Sequence, residues 1–333
     1  MTVLIIAEAG VNHNGDIDMA LRLVEAAHAA GADLVKFQTF KTDAVVTANA
    51  KKADYQARNV EGSDSQVDML RGLELSYADH DRIIAHCEAV GIGFFSTAFD
   101  PDSLDYIAGL GLEQFKIPSG EITNLPYLRK IAGYGRDVIL STGMATLGDI
   151  EAAIEAIEAA GLPRSRITVL HCTTEYPAPM EEVNLRAMNA IGEAFDVAVG
   201  YSDHTQGIEI ALAAVARGAS VIEKHFTLDN SLPGPDHKAS LEPHELKAMV
   251  DGIRNIEIAL GSSVKRPTAS ERANRPIARR SVVAARAIAA GEMFTADMLR
   301  VKRPGTGLSP MLWDSIVGSA ARRDFAADEE IEL

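Results

Sequence analysis

The chain has 333 residues, 47% of them hydrophobic, and its 47 acidic against 32 basic side chains give a net charge of −15. That length exceeds one ordinary domain unless the domain is a barrel, and the acidic balance argues against a main task on nucleic acid or an anionic membrane. No run approaches the roughly 18 apolar residues of a membrane span, the opening Met-Thr-Val-Leu-Ile-Ile-Ala-Glu lacks the basic start of a secretion signal, and Cys87 and Cys172 alone build no disulfide framework, which favours a reducing cytoplasm.

Short apolar runs, most of them rich in β-branched residues, occur at 3–7, 34–37, 94–96, 114–117, 138–140, 167–170, 197–201 and 220–222. Helical periods separate them, as in Leu21, Val24, Ala27 and Ala30, or Ile150, Ile154, Ile157 and Ala160. Strand and helix alternating eight times over about 260 residues is the pattern of a (β/α)8 TIM barrel in the α/β class. A doubly wound open sheet is the alternative. It is disfavoured because Ala9-Gly10-Val11-Asn12-His13-Asn14-Gly15 lacks the glycine spacing of a dinucleotide fingerprint.

Each run ends in polar side chains, where barrel enzymes place their chemistry. In chain order these are Glu8; Lys36 and Gln38; Ser96 and Thr97; Lys116, Ser119 and Glu121; Ser141 and Thr142; Thr173, Thr174 and Tyr176; Ser202 and His204; Glu223, Lys224 and His225. Single Ser and Thr residues there are commonly helix N-caps, but a complete set of eight is poorly explained that way. Residues 41–75 are long, polar and poor in regular pattern, as expected of a lid or an oligomer contact. After Leu260 the period fails. The expected division is a barrel at 1–262, a linker at 263–278 and a small β-rich module at 279–333, near the size at which a domain is only marginally stable by itself.

His204 and His225 close consecutive parallel strands, so their side chains become neighbours. Two neutral imidazoles with Asp203 and Glu223 nearby suit a divalent cation with open coordination positions, or each is a hydrogen-bonded strand-end residue. Lys36 and Lys116 need anionic partners if buried. With Ser119 and Ser141 they form a cradle for phosphate or carboxylate; a Schiff-base lysine, as in a pyruvate aldolase, is the rival reading. Glu8, Glu121, Asp203, Glu223 and Asp236 supply acceptors for hydroxyls, water or a proton.

Taken together, Ala7-Glu8-Ala9-Gly10-Val11-Asn12-His13-Asn14-Gly15, Val35-Lys36-Phe37-Gln38-Thr39, Phe115-Lys116-Ile117-Pro118-Ser119-Gly120-Glu121, Leu140-Ser141-Thr142-Gly143-Met144, His171-Cys172-Thr173-Thr174-Glu175-Tyr176-Pro177, Gly200-Tyr201-Ser202-Asp203-His204-Thr205 and Glu223-Lys224-His225-Phe226-Thr227 resemble the sialic acid (nonulosonate) synthase family. The module after Ser281 resembles its antifreeze-like (SAF, β-clip) domain. The resemblance implies condensation of phosphoenolpyruvate with an open-chain N-acyl hexosamine to a nine-carbon 2-keto acid and phosphate. It implies that His204 and His225 hold Mn2+ or Mg2+, that Lys36, Thr97, Lys116, Ser119, Ser141 and Ser202 contact phosphoenolpyruvate, and that Glu121, Tyr176 and Asp236 face the sugar. Glu8 would then lie near the attacking water, and Arg280 would reach the acceptor across a domain-swapped homodimer. Thr174 stands where N-acetylneuraminate synthases often carry Asn, and the surrounding wording resembles the legionaminate branch. N-acetylneuraminate and, more distantly, pseudaminate synthesis are the alternatives.

Overall fold

The structure, a computed structural model, describes residues 2–60 and 64–333. Its first compact unit, Met1–Gly261, runs β1 (Leu4–Gly10), α1 (Ile17–Ala30), β2 (Leu34–Thr39), α2 (Thr42–Val45), α3 (Asp54–Asn59), α4 (Gln66–Leu73), α5 (Tyr77–Val90), β3 (Gly93–Ala98), α6 (Pro101–Gly109), β4 (Gln114–Ile117), α7 (Leu125–Gly133), β5 (Asp137–Ser141), α8 (Leu147–Ala159), β6 (Ile167–His171), α9 (Arg186–Phe195), β7 (Ala198–Asp203), α10 (Glu209–Ala216), β8 (Val221–His225) and α11 (Pro243–Leu260). The strands are parallel in the order β3-β2-β1-β8-β7-β6-β5-β4. The two ends of that order, β3 and β4, pack side by side, so the eight strands form the expected TIM-type barrel.

Local sequence sets the helix ends. Asp16 caps α1 by accepting from the backbone of Asp18 and Met19, and Gly31 ends it in the left-handed conformation at φ 84°. Between strands and helices lies an apolar layer that includes Leu23, Val35, Phe37 and Ile222. Inside the ring, Ile6, Phe95, Ile139, Leu170 and Val221 form a separate plug. Strand periodicity then decides the site, because a residue two places beyond a plug residue points into the same interior, one layer nearer the strands' carboxyl ends. The step of two leads from Ile6 to Glu8, Phe95 to Thr97, Ile139 to Ser141, and Val221 to Glu223 and His225.

Part of the 41–75 segment departs from the expectation of an irregular loop: its described residues include α2, α3 and α4, while 61–63 lie outside the described residues. The second unit, Ser262–Leu333, contains α12 (Ala269–Ala278), β9 (Ser281–Ala284), β10 (Leu299–Lys302) and α13 (Trp313–Ile316). β9 and β10 pair antiparallel, single bridges join Val283 to Glu330 and Ile288 to Phe325, and Val282, Phe294, Leu299, Ile316 and Phe325 form the core. The expected linker is thus largely helical. Thr268 and Glu271 form a capping box at its start, a signal present in the sequence, but every residue of α12 is exposed, so it carries no apolar period to announce it.

Candidate active site

At the carboxyl end of the barrel, four charged side chains meet almost out of water: Glu8, Lys36, Lys116 and Glu223, none more than 5% exposed. Lys36 Nζ lies 2.8 Å from Glu8 and 3.5 Å from Glu223, and donates to Thr97 Oγ1 at 3.1 Å. Lys116 Nζ donates to Ser141 Oγ at 2.6 Å and sits 3.6 Å from the other oxygen of Glu223. Glu223 also accepts from Ser202 Oγ at 2.9 Å. The carboxylate that bridges both lysines was read in the sequence as a neighbour of the two histidines and as one acceptor among five. The structure puts it at the centre.

Alternation along β7 and β8 separates the rest. Ser202, Glu223 and His225 face the interior, whereas Asp203 and Lys224 face outward and pair at 2.9 Å, both fully buried. Asp203 accepts further from the backbone and hydroxyl of Thr205. Asp203 is therefore withdrawn from the histidines it was expected to accompany.

Burial dominates the protonation states. It holds the Glu8 carboxyl up at about 7 against the pull of Lys36. For Glu223 burial acts upward too, but Lys116, Lys36 and the Ser202 hydroxyl take it down to about 2. Burial lowers Lys116; for Lys36 burial also acts downward, but Glu223 and Glu8 outweigh it and the net shift is upward. Two lysines thus face one firmly ionised carboxylate and a second whose ionisation burial disfavours, an arrangement with room for an added anion. Burial likewise brings His204 down to about 4, puts His225 well below its ordinary range, and raises Asp236 to about 7.

The two imidazoles lie 5.6 Å apart between ring centres. His204 Nδ1 is 2.6 Å from the carbonyl oxygen of Thr173, to which its N–H donates, leaving Nε2 with its lone pair at 3.4 Å from Ser202 Oγ, whose hydroxyl donates to Glu223. His225 Nδ1 is buried with no hydrogen-bond partner among the described residues. Neutral rings that each keep a lone pair fit a divalent cation, although no group of three or more His, Cys, Asp or Glu side chains suited to a metal occurs among the described residues. Gly10 makes room for them. Its φ is +54°, and a Cβ there would lie 3.2 Å from His225 and 3.3 Å from Glu8.

A cavity of about 370 Å³ opens above this cluster, within the usual range of ligand pockets. Glu8, Lys36, Thr97, Lys116, Ser119, Ser141, Thr174, Tyr176, Ser202, His204, His225 and Asp236 all line it. Glu121 does not: it lies in the turn beyond Ser119, half-buried, and accepts from Asn124 at 2.5 Å. Arg280 is exposed in the second unit. Ser119 Oγ accepts from Gly143 N at 2.9 Å, and a Cβ on Gly143 would overlap Thr174 Oγ1, so only glycine lets these loops close together.

Part of the wall comes from the 41–75 segment, for which a lid was one of the two expectations, but which of its side chains face the cavity was not legible beforehand. Tyr55 packs on Tyr176 at 5.0 Å, and Tyr176 in turn stacks on His204 at 4.1 Å. Arg58 pairs with Glu175, and Asn59 donates to the carbonyl oxygen of Pro235 at 2.8 Å. Helix α3 thus spans the mouth from β6 to the segment after β8. Tyr55 and Gln56 had no signal in the sequence; Gln38, also in the wall, was visible as a strand-end residue without an assigned task.

Residues 23–265 match the NeuB family and 279–331 match the SAF domain. The chain is 52% identical over 328 residues to the N,N'-diacetyllegionaminic acid synthase of Campylobacter jejuni, covering 98% of each. To the synthase of the same name from Legionella pneumophila it is 46% identical over 329 residues, covering 98% of this chain and 92% of the relative. Among solved structures, the N-acetylneuraminic acid synthetase of Leptospira borgpetersenii aligns with a TM-score of 0.73 at 35% identity, covering 82% of this chain and 90% of the other.

Proposed function

The chain belongs to the NeuB family, and from that premise we propose that it acts as an N,N'-diacetyllegionaminate synthase. It is an enzyme of the sialic acid synthase type, joining phosphoenolpyruvate to an open-chain N-acyl hexosamine with release of phosphate. The observation that carries the reading is the pair of buried ammonium groups, Lys36 and Lys116, sharing Glu223 beside two neutral imidazoles.

In this reading Lys36, Lys116, Thr97, Ser119, Ser141 and Ser202 hold phosphoenolpyruvate through its two anionic groups. His204 and His225 would bind Mn2+ or Mg2+, which polarises the acceptor aldehyde as a Lewis acid when bound. The C2=C3 π electrons of phosphoenolpyruvate attack the aldehyde carbon, and an oxocarbenium is left at C2. The C=O π bond of the aldehyde breaks onto its oxygen, which takes a proton from solvent to become the product's hydroxyl. Water adds at C2 and gives up its proton to Glu8, whose carboxyl at about 7 is poised to take it. The tetrahedral intermediate then breaks its C2–O bond and phosphate leaves with the bridging oxygen. Tyr176, Asp236 and Thr174 face the sugar, and Glu121 stands at the rim. Burial lowers Lys116, as a Schiff-base lysine requires, so borohydride with pyruvate tests the aldolase alternative.

The reading includes a homodimer in the cytoplasm, in which the second unit of one protomer covers the barrel mouth of its partner and Arg280 reaches the acceptor. Exposed Met144, Leu147 and Met180 around the mouth, and exposed Met293, Met311 and Leu312 on the second unit, support such a cover. If so, mixing inactive His225→Ala and Arg280→Ala protomers restores activity; exchange of subunits without recovery removes Arg280 from the partner's site. For the substrate, phosphate release is measured with N-acetylmannosamine and with 2,4-diacetamido-2,4,6-trideoxymannose, with and without chelator. The reading requires faster turnover of the diacetamido sugar and loss of rate on chelation. Equal or faster turnover of N-acetylmannosamine assigns the chain to neuraminate synthesis instead.

A further inference from the structure

The cavity has two chemically different ends. Around the histidines and lysines nearly every side chain carries a hydrogen-bonding group. On the side built by the segment after β2, together with Phe99 just beyond β3, Phe40, Val46, Met69, Leu70, Leu73 and Phe99 line the same cavity as Gln56 and Gln66, and all six of the apolar residues but Val46 belong to one apolar cluster. Phe40, Met69 and Leu73 are at most 8% exposed, and Phe40 meets Phe99 edge to face at 6.4 Å. The base of the segment is fixed, since Glu74 accepts from the backbone N–H and the hydroxyl of Thr42 at 2.9 Å each. This wall is therefore a preformed surface and offers no donor or acceptor from those six side chains.

We propose that this wall is the specificity element for the far end of the acceptor, receiving a deoxygenated C6 methyl group and rejecting a C6 hydroxyl. The inference rests on the reading of the site given above. An acceptor whose aldehyde carbon reacts beside His204 and His225 must extend its remaining carbons away from the strand ends of β7 and β8. A hydroxymethyl end lodged against those six side chains would lose its hydrogen bonds to water without replacement from them, whereas a methyl end loses none. A pocket of this kind discriminates a hydroxyl from its deoxy counterpart by about tenfold to a hundredfold. The cluster also packs the segment onto the barrel. That structural role alone would alter stability or all acceptors alike, and would not sort them by C6.

The test compares kcat/KM for N-acetylmannosamine and its 6-deoxy counterpart, which differ only at C6, in the wild type and in the near-isosteric variants Val46→Thr and Met69→Gln. Thermal unfolding monitors the fold, and half-buried Val46 gives a variant that remains usable if Met69→Gln unfolds. The wild type is expected to favour the 6-deoxy sugar by about tenfold or more, and the variants to shrink that ratio at least threefold while the KM for phosphoenolpyruvate stays put. A wild-type ratio near one, or a ratio unmoved in folded variants, overturns the inference. A variant effect that follows the 4-acetamido group of 2,4-diacetamido-2,4,6-trideoxymannose instead of C6 also overturns it. Failure of every acceptor to release phosphate strikes the proposed function itself, so the two failures are distinguishable.

Discussion

Two sets of buried lysines and carboxylates stand one residue apart on β8, and they have opposite characters. Lys224 and Asp203 on the outer face are both fully buried, and the pair is closed: Lys224 reaches Asp203 and the carbonyl of Thr205, while Asp203 takes two further hydrogen bonds from Thr205. Glu223 on the inner face is shared by two lysines at 3.5 and 3.6 Å, and one of its oxygens has no hydrogen-bond partner among the described residues. Burial of charge alone does not mark a functional group. A completed network holds the barrel together, and an incomplete one facing a cavity keeps capacity for a ligand.

The comparison breaks most visibly if inner-face groups prove dispensable. His225→Ala is expected to remove turnover almost completely while the melting profile stays near wild type, because the barrel has its own plug beneath the site; near-normal rates in this variant would contradict the assignment. Next in size, Lys116→Met should raise the KM for phosphoenolpyruvate by about tenfold to a hundredfold, as expected for loss of a charged hydrogen bond, and leave the acceptor KM nearly unchanged. Lys116→Arg should recover part of that loss. Lys224→Met should do the reverse, lowering stability by about 3 kcal/mol through the uncompensated Asp203, with an unaltered KM for phosphoenolpyruvate in the protein that remains folded. A change in that KM would erase the distinction between the faces.

A smaller effect concerns pH. Asp236, raised by burial to about 7 from an ordinary 3.8, favours the folded state below pH 3.8, and that contribution is lost as pH rises toward 7. Asp236→Asn should therefore be relatively more stable than wild type at pH 7.5 and show a smaller advantage at pH 4. Denaturant unfolding at the two pH values reads this directly, and a difference independent of pH would mean that the carboxyl is not held neutral.

The barrel was legible because strands covered on both sides are written as short, dense apolar runs, and because a polar residue ended each one. What the runs did not reveal was which polar residue faced inward. Once Ile6, Phe95, Ile139 and Val221 are seen as the plug, the step of two selects Glu8, Thr97, Ser141, Glu223 and His225 and rejects Asp203 and Lys224. Helices α3 and α4 stayed hidden for a different reason. Their buried side chains, such as Val67, Met69 and Leu73 in α4, cover only a small satellite of the barrel, and α3 buries none, so neither shows a sustained helical period. Tyr55 thus owes its place to Tyr176 and to the cavity, which no local pattern encodes.

The most direct test of the chemistry assigned to the inner face follows the bridging oxygen of phosphoenolpyruvate. With that oxygen labelled as 18O, the account predicts that the label appears in the released phosphate, only when an acceptor is present, and that Glu8→Gln lowers the rate without moving the label. Label retained in the keto-acid product, or phosphate released at the same rate without acceptor, would contradict it.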